Sequence, residues 1–312
     1  MIRFLINRAA MAVPTLFLVS VAVFLMMRAI PGDPASAMLG DLATPEMVAR
    51  LKSSMGLDRS LPVQYVVWIG DILSGDFGRS ISTGDEVLPL MLERFRLSAV
   101  IVLLAVGIAT LFAVPLGMLA AWRQGTLWDF GAVAFSTFFL SLPSFWLGLM
   151  ILLTFGLNLG WLPVLGTVAM STGTPLIVAV AMPVLTLFLI EMGALVRMTR
   201  ASTIDVLRQE YITHARAKGL SEPVVMFRHA FPNAFAPTWT LIGLILGTLL
   251  GGIAVVETVF TIPGLGRLLV QGIYARDYPV VQGCILLISA IYVLVNLVVD
   301  MFYPLFDPKV AR

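Results

Sequence analysis

From Phe130 to Ile190 the chain carries no charged side chain at all. A water-facing fold cannot conceal such a stretch. About 20 apolar residues cross a hydrocarbon core about 30 Å thick, and the backbone groups inside it must be satisfied within the protein. The run is too long for one crossing and is broken by "GLNLGWLPVLGTVAMSTGTP", Gly156 to Pro175, which places spans at about 130–156 and 176–197. Further uncharged runs lie between Arg8 and Arg28 and between Arg96 and Arg123, followed by about Thr238–Ile262 and Val280–Tyr303. Six crossings put both termini on one side. With 59% hydrophobic and 12% charged residues and a mean hydropathy of +0.97, the composition exceeds what a soluble surface tolerates. The expectation is an all-α integral membrane protein with six transmembrane helices. Its parts are an N-terminal transmembrane helix (1–29), a long external segment (30–97), a core of five transmembrane helices (98–303) that includes a cytoplasmic loop at 199–235, and a tail (304–312).

Sidedness follows from Lys and Arg in short flanks, because positive residues resist translocation. One set of flanks holds Arg3, Arg8, Arg123, Arg197, Arg200, Arg208, Arg216, Lys218, Arg228, Lys309 and Arg312. These flanks, and with them both termini, read as cytoplasmic. The opposite set has no Lys or Arg in 156–175 and only Arg267 and Arg276 after span five. "ASA" at 35–37 resembles a signal-peptidase site, but the apolar stretch before it is longer than a signal peptide's. Cys284 has no second cysteine to pair with and says nothing of redox compartment.

Outside, "IPGDP" at 30–34 is a turn signal. "LPVQYVVWIGDILSGDFG" reads as a short helix, either lying near the outer interface or packed in a small external cap. Inside, "EYITHARAKGLSEP" (210–223) gathers polar residues in the longest cytoplasmic connection. Ile204, Leu207, Tyr211 and Ala215 recur at helical spacing. Gly219 after Lys218 reads as a helix stop, Ser221 as the cap of a second short helix, and Pro232 as its end. The helix, turn and helix so described either rest on lipid or dock a soluble partner. The mixture of Glu210, His214, Arg216 and Lys218 with small alanines suits a protein groove better than an anionic membrane face.

Several chemistries are excluded. None of Lys52, Lys218 and Lys309 follows a glycine, so no phosphate-cradling Gly-Lys-Ser/Thr loop exists. "DFG" at 76–78 lacks every companion kinase motif, and "GLGR" at 264–267 is a turn. His214 and His229, the only histidines, lie in the cytoplasmic connection, leaving none in the spans for a nucleophile or a metal. No catalytic residue and no metal site is expected.

Acids within the spans remain. Glu191 in span four either faces a water-filled path, where it would attract a substrate amine, or reaches toward the cytoplasmic arginines. Glu257, in the outer part of span five, reads as an interface position. "SLPSFWLG" (141–148), with Ser141, Pro143 and Ser144, is the most polar and kinked site within a span, and either lines a pathway or serves packing. Gly243, Gly247 and Gly251 form a small-residue ridge for close helix contact, in the core or against a partner subunit.

These segments together resemble the inner-membrane permease subunits of bacterial ABC importers of the dipeptide/oligopeptide/nickel group, and among them the first of the two paired permeases, similar to dipeptide permease B. The likeness is carried by "PGDPA", "GLDRSLPVQY", "GDFGRS", "LSLPSFWLG", "GWLP", "RMTRAS", "YITHARAKGLSE", "VVETVF", "PGLGRLLV" and "RDYPVVQG", nearly end to end. It implies the type I importer permease fold, similar to MetI, and location in a bacterial inner membrane, with the external segment in the periplasm. Such families carry an EAA loop. Gly219 and Pro232 match its glycine and proline and Ala215 its second alanine, while Thr213 and His214 stand where Glu and Ala are usual. The departure removes the Glu that would make a salt bridge in the general motif. The resemblance implies that 210–220, from Glu210, Tyr211, Thr213, His214, Ala215, Arg216 and Ala217 to Lys218, Gly219 and Leu220, couple to cytoplasmic ATPases. The implied partners are a sister permease, two ATP-binding subunits that hold ATP and magnesium, a periplasmic solute-binding protein and the bilayer, with no nucleic acid. This chain itself would bind no cofactor and hydrolyse nothing. The implied cargo is di- or oligopeptide, with nickel chelates, glutathione or sugars as the alternatives. A rival from another class, a secondary transporter acting alone, would require several pathway acids and inverted repeats, and no convincing repeat is visible.

Overall fold

The computed structural model describes residues 2–29, 44–54 and 56–303. The "IPGDP" turn, the "ASA" segment and the tail from 304 lie outside these residues. The described chain is almost entirely helical, with one isolated antiparallel bridge between Arg79 and Glu86. In chain order the helices are α1 (Ile2–Ala29), α2 (Pro45–Ser54), α3 (Leu61–Ser74), α4 (Val87–Trp122), α5 (Leu127–Ser141), α6 (Ser144–Ile151), α7 (Gly166–Ser171), α8 (Leu176–Ala179), α9 (Ala181–Leu207), α10 (Glu210–Ala217), α11 (Glu222–Val224), α12 (Phe231–Gly252), α13 (Ala254–Val259), α14 (Leu265–Tyr274) and α15 (Tyr278–Phe302). Stretches of π-helix, Leu152–Asn158 and Val225–Ala230, continue α6 and join α11 to α12.

Among the described residues, five helices are long and apolar enough to cross a membrane, and α5 with α6 and its π-helical continuation forms a sixth candidate bent by 99°. The bent pair packs against α9 on both sides of its bend. Asp129 meets Arg200, a β-carbon on Gly193 would sit 3.0 Å from the Ser136 carbonyl, and one on Gly156 would meet Val164 and Met182. The contacts of the pair therefore follow α9 in antiparallel order, with the bend between them. The bend sits where Leu142, forced out of helical geometry by the following proline, takes ψ 130.

The core is built on α4 and α9. Ile101, Ala105, Ala109 and Ala113 of α4 are fully buried at four-residue spacing. A β-carbon on Gly117, the next member, would lie 2.8 Å from Thr199 Cβ and from the Val196 carbonyl. Small side chains in a row let two backbones approach closely, the usual solution where no hydrophobic effect separates helix from lipid. The predicted ridge on α12 does the same within this chain: added β-carbons at Gly243 and Gly247 would meet Val299 at 2.3 Å and Tyr292 at 2.5 Å, both on α15. Gly251, the third member of that ridge, is exposed, and its added β-carbon would meet Ile288 at 3.5 Å.

Several boundaries differ from the sequence reading. Span two begins at Val87, so the expected boundary at 97 falls inside a helix of 36 residues. Span five ends at Gly252 rather than Ile262, because the chain breaks at Ile253 and turns into α13. Pro232 does not end the short helix after Ser221. It sits in the first turn of α12, where its missing N–H costs little, and the π-helical stretch before it accommodates the ring. α3 has no buried residue. Its Tyr65 and Trp68 lie on Phe24 of α1, and Tyr65 shares a hydrogen bond with Ser20 at 2.8 Å. It lies along α1 rather than inside a packed cap.

Candidate functional site

The polar stretch at 210–223 forms an elbow at the base of α4, α9 and α12. Helix α9 stops at Leu207, and Gln209, with extended backbone (φ −73°, ψ 147°), starts α10 in a new direction. That break ends the stripe read from the sequence. Ile204 and Ala215 are buried and Leu207 half-buried, but Tyr211 is 42% exposed and Ile212 is fully buried instead. Ile212 and Ala215 seat the elbow in an apolar cluster with Val114 and Met118 of α4 and Val225, Met226 and Ala230.

The rest of the elbow faces outward. Glu210, Tyr211, Thr213, His214, Arg216, Ala217, Lys218, Gly219 and Leu220 are exposed, and Ala215 is the one expected coupling residue that is not. Gly219 closes α10 with φ +80°, a left-handed conformation that side chains resist. Its N–H donates to Arg216 O at 2.9 Å and that of Leu220 to Ala215 O at 3.4 Å, a Schellman closure. Ser221 occupies the cap position of α11 but makes no side-chain cap bond. Arg216 holds the two arms together through a forked pair with Glu222 at 2.8 and 3.2 Å. Asn233 Nδ2 donates to the Tyr211 hydroxyl at 3.0 Å, tying the elbow to α12. Burial raises the Tyr211 phenol above its ordinary value despite this amide, so it stays neutral.

The expected pathway residues lie elsewhere. Ser141 and Pro143 are exposed and Ser144 half-buried at the bend of span three, with Ser141 Oγ donating to Thr137 O at 2.7 Å. Glu191 is half-buried on α9, two residues before Gly193, whose added β-carbon would lie 3.3 Å from Leu140. Bend and carboxylate are thus near one depth, yet no hydrogen bond joins them. Glu191 does not reach the arginines below it: among the described residues it has no ion pair, and Arg200 is held by Asp129.

Three polar clusters were not anticipated. Arg200 Nε and Nη2 donate to both carboxylate oxygens of Asp129, the latter at 2.8 Å, pinning the start of α5 to α9. Asp129 is the sole acid between Glu93 and Glu191, and that isolation was the available signal. Glu257 is fully buried rather than at an interface. It accepts the Ser98 hydroxyl and the N–H of Arg267 at 2.8 Å, while Ser98 Oγ accepts the N–H of Leu265, so Glu257 and Ser98 cap α14. A β-carbon at Gly264 would meet the Glu257 carboxylate at 2.0 Å, which is why the "PGLGR" turn carries glycine there. Asp277 accepts the hydroxyls of Ser80 and Ser82 at 2.5 and 2.7 Å and the Ser82 N–H at 3.1 Å, clamping "GDFGRS" to "RDYP". "DFG" itself is a turn in which Asp76 accepts the Gly78 N–H at 2.8 Å.

Residues 113–312 match the family of binding-protein-dependent transport system inner membrane components, and residues 1–101 match the N-terminal membrane component of such systems. A probable peptide ABC transporter permease of Sinorhizobium fredii is 38% identical over 308 residues, 98% of each chain. The di/tripeptide transport system permease of Pseudomonas aeruginosa is 37% identical over 334 residues, covering 100% of this chain and 99% of its own. The oligopeptide transport system permease of Bacillus subtilis is 34% identical over 314 residues, 99% of each. Among solved structures, the inward-facing MetNI methionine ABC transporter contains a chain of similar fold, with a TM-score of 0.56 and 18% identity over 70% of this chain and 96% of that one.

Proposed function

The chain belongs to the family of binding-protein-dependent transport system inner membrane components, and from that membership we propose that it is the permease subunit of an ATP-driven importer of di- and oligopeptides. Full-length relatives at 33–38% identity that are named peptide, dipeptide or oligopeptide permeases support the cargo. The reading places the protein in a bacterial inner membrane with the elbow and both termini in the cytoplasm, in agreement with the excess of Lys and Arg at the elbow end. A sister permease completes the pathway, a solute-binding protein delivers cargo outside, and two cytoplasmic subunits bind ATP and magnesium and hydrolyse the nucleotide.

The observation that carries this reading is the elbow. A purely lipid-facing helix needs an apolar outer side, whereas α10 turns its aliphatic Ile212 inward with Ala215 and shows Glu210, Thr213, His214 and Arg216 beside Tyr211 and Ala217, with Lys218 just past its end. The elbow is seated on α4 and continuous with α12, so a partner gripping it moves two spans. Closure of the ATPases around nucleotide then tilts the spans and switches access from one side to the other.

The test is His214→Ala with Lys218→Glu in the reconstituted transporter. These side chains have no ion pair within the described residues, so the fold should survive. Loss of ATPase copurification, or about a tenfold fall in ATP-dependent dipeptide uptake, is expected. Unchanged copurification and uptake would exclude the elbow as the docking surface. Uptake that persists after ATP depletion with the ion gradient intact would exclude the ATP-driven class altogether.

A further inference from the structure

At the end opposite the elbow, a cavity of about 660 Å³ lies between the last turn of α1, the α2–α3 region and the first turns of α15. Arg28, Gln64, Trp68, Tyr278 and Gln282 contribute to its wall. Gln282 is 5% exposed, and its side-chain Nε2 has no hydrogen-bond partner. A buried amide donor left without an acceptor is costly, so this one calls for an oxygen that the chain does not supply. Arg28 is already oriented: its Nε and Nη2 donate to Gln64 Oε1 at 3.3 and 3.2 Å, and its guanidinium lies 4.0 Å over the Phe24 ring.

Depth identifies what brings the oxygen. Arg28 ends the apolar run Ala10–Ala29, which is headgroup level for a membrane span. The bond from Tyr65 to Ser20, eight residues nearer the middle of α1, sets α3 alongside the span rather than beyond it. Helix α3 turns Val66 and Leu73 outward, and α1 leaves Met26 exposed. Such a surface is continuous with the lipid-facing side of α1 and is covered by acyl chains. Lys52, Arg59, Asp71 and Asp76 also line the cavity, so with Arg28 its wall carries both signs of charge and complements a zwitterionic headgroup.

We propose that an ethanolamine phospholipid of the adjoining leaflet occupies this cavity, its phosphate against Arg28 and the Gln282 amide, its amine toward Asp71 and Asp76, and its acyl chains along α1 and α3. The lipid would fasten α3, which is held mainly through α1, to the bundle at α15, where Met27 of α1 already packs on Tyr278 and Val281. The test uses the purified full transporter, delipidated in detergent, with thermal stability and native mass spectrometry as readouts. Phosphatidylethanolamine should raise the melting temperature and remain bound. Phosphatidylglycerol should do so less, and diacylglycerol or inorganic phosphate should not. Arg28→Gln and Gln282→Leu should each weaken apparent affinity at least fivefold, while Arg28→Lys keeps most of it. Should Gln282→Leu fail to assemble, Gln282→Glu places a carboxylate against the phosphate and should give the same loss. Equal stabilisation by diacylglycerol or by inorganic phosphate, phosphatidylglycerol matching phosphatidylethanolamine, or variants that bind as the native protein does would each overturn the proposal.

Discussion

A β-carbon added at Gly243 would stand 2.3 Å from Val299 Cγ2 and 3.0 Å from its Cβ, where carbon atoms rest about 3.5–4 Å apart. Helices α12 and α15 must then separate by about 1 Å, because Val299 is β-branched and has no alternative rotamer to retreat into. A gap of that size forfeits about a quarter to a half of each contact's attraction and strains the bond from Trp239 Nε1 to Val299 O at 3.0 Å. Overpacking of this kind costs about 1–3 kcal/mol. The better helix propensity of alanine returns about 0.5–1 kcal/mol, so Gly243→Ala should destabilise by about 1–2 kcal/mol, a factor of about 5–30 in the folding equilibrium. The same change at Gly251, whose added β-carbon would meet Ile288 at an ordinary 3.5 Å, should be neutral or mildly stabilising. Denaturant titration of the detergent-purified chain measures both, and the double variant Gly243→Ala with Val299→Ala should recover most of the loss. If Gly251→Ala costs as much as Gly243→Ala, or the double variant shows no recovery, the ridge faces something other than α15 and the packing argument fails.

Asp129→Ala should destabilise by about 2–3 kcal/mol, less than the 3–5 kcal/mol of a wholly buried pair because the Arg200 side chain is 24% exposed, and adding Arg200→Met should restore part of it in the same unfolding assay. Gly219→Ala forces a side chain into φ +80° and should lower thermal stability by about 1 kcal/mol, with Gly219→Asn milder; equal melting temperatures for all three would mean that the Schellman closure does not form. Burial alone would raise the Asp277 carboxyl, but the Ser80 and Ser82 hydroxyls and backbone N–H groups outweigh it and hold it below the ordinary 3.8. A depressed folded value stabilises fully above 3.8 and is lost as pH falls through that lower value, so melting temperature should drop on acidification below 3.8, and Asp277→Asn should flatten this slope.

What the sequence made legible is what hydropathy and turn chemistry encode locally. Uncharged runs located every span, and Gly219 revealed the elbow because only a left-handed turn required it there. The errors arose where tertiary contact overrode a local rule. Pro232 reads as a terminator, but a π-helical stretch absorbs its ring and helix continues into α12. Glu257 reads as an interface acid, since nothing in "VVETVF" announces that Ser98, far back in the chain, will meet it. The alanine ridge on α4, Ala105, Ala109 and Ala113, leaves no signature in the sequence, because alanine is unremarkable in any apolar helix. Glu191 remains the acid whose position was foreseen and whose neighbours were not.

The spans above the elbow differ in stiffness. At about 1.5 Å per residue, α9 with its 27 residues is a strut about 40 Å long, and a swing of about 5° at its foot sweeps the opposite tip by about 3.5 Å. Span three, jointed through 99° at Leu142 and Pro143, has no such leverage. Its upper half rests on α9 and α13, so its position is set by those neighbours rather than by its own lower half.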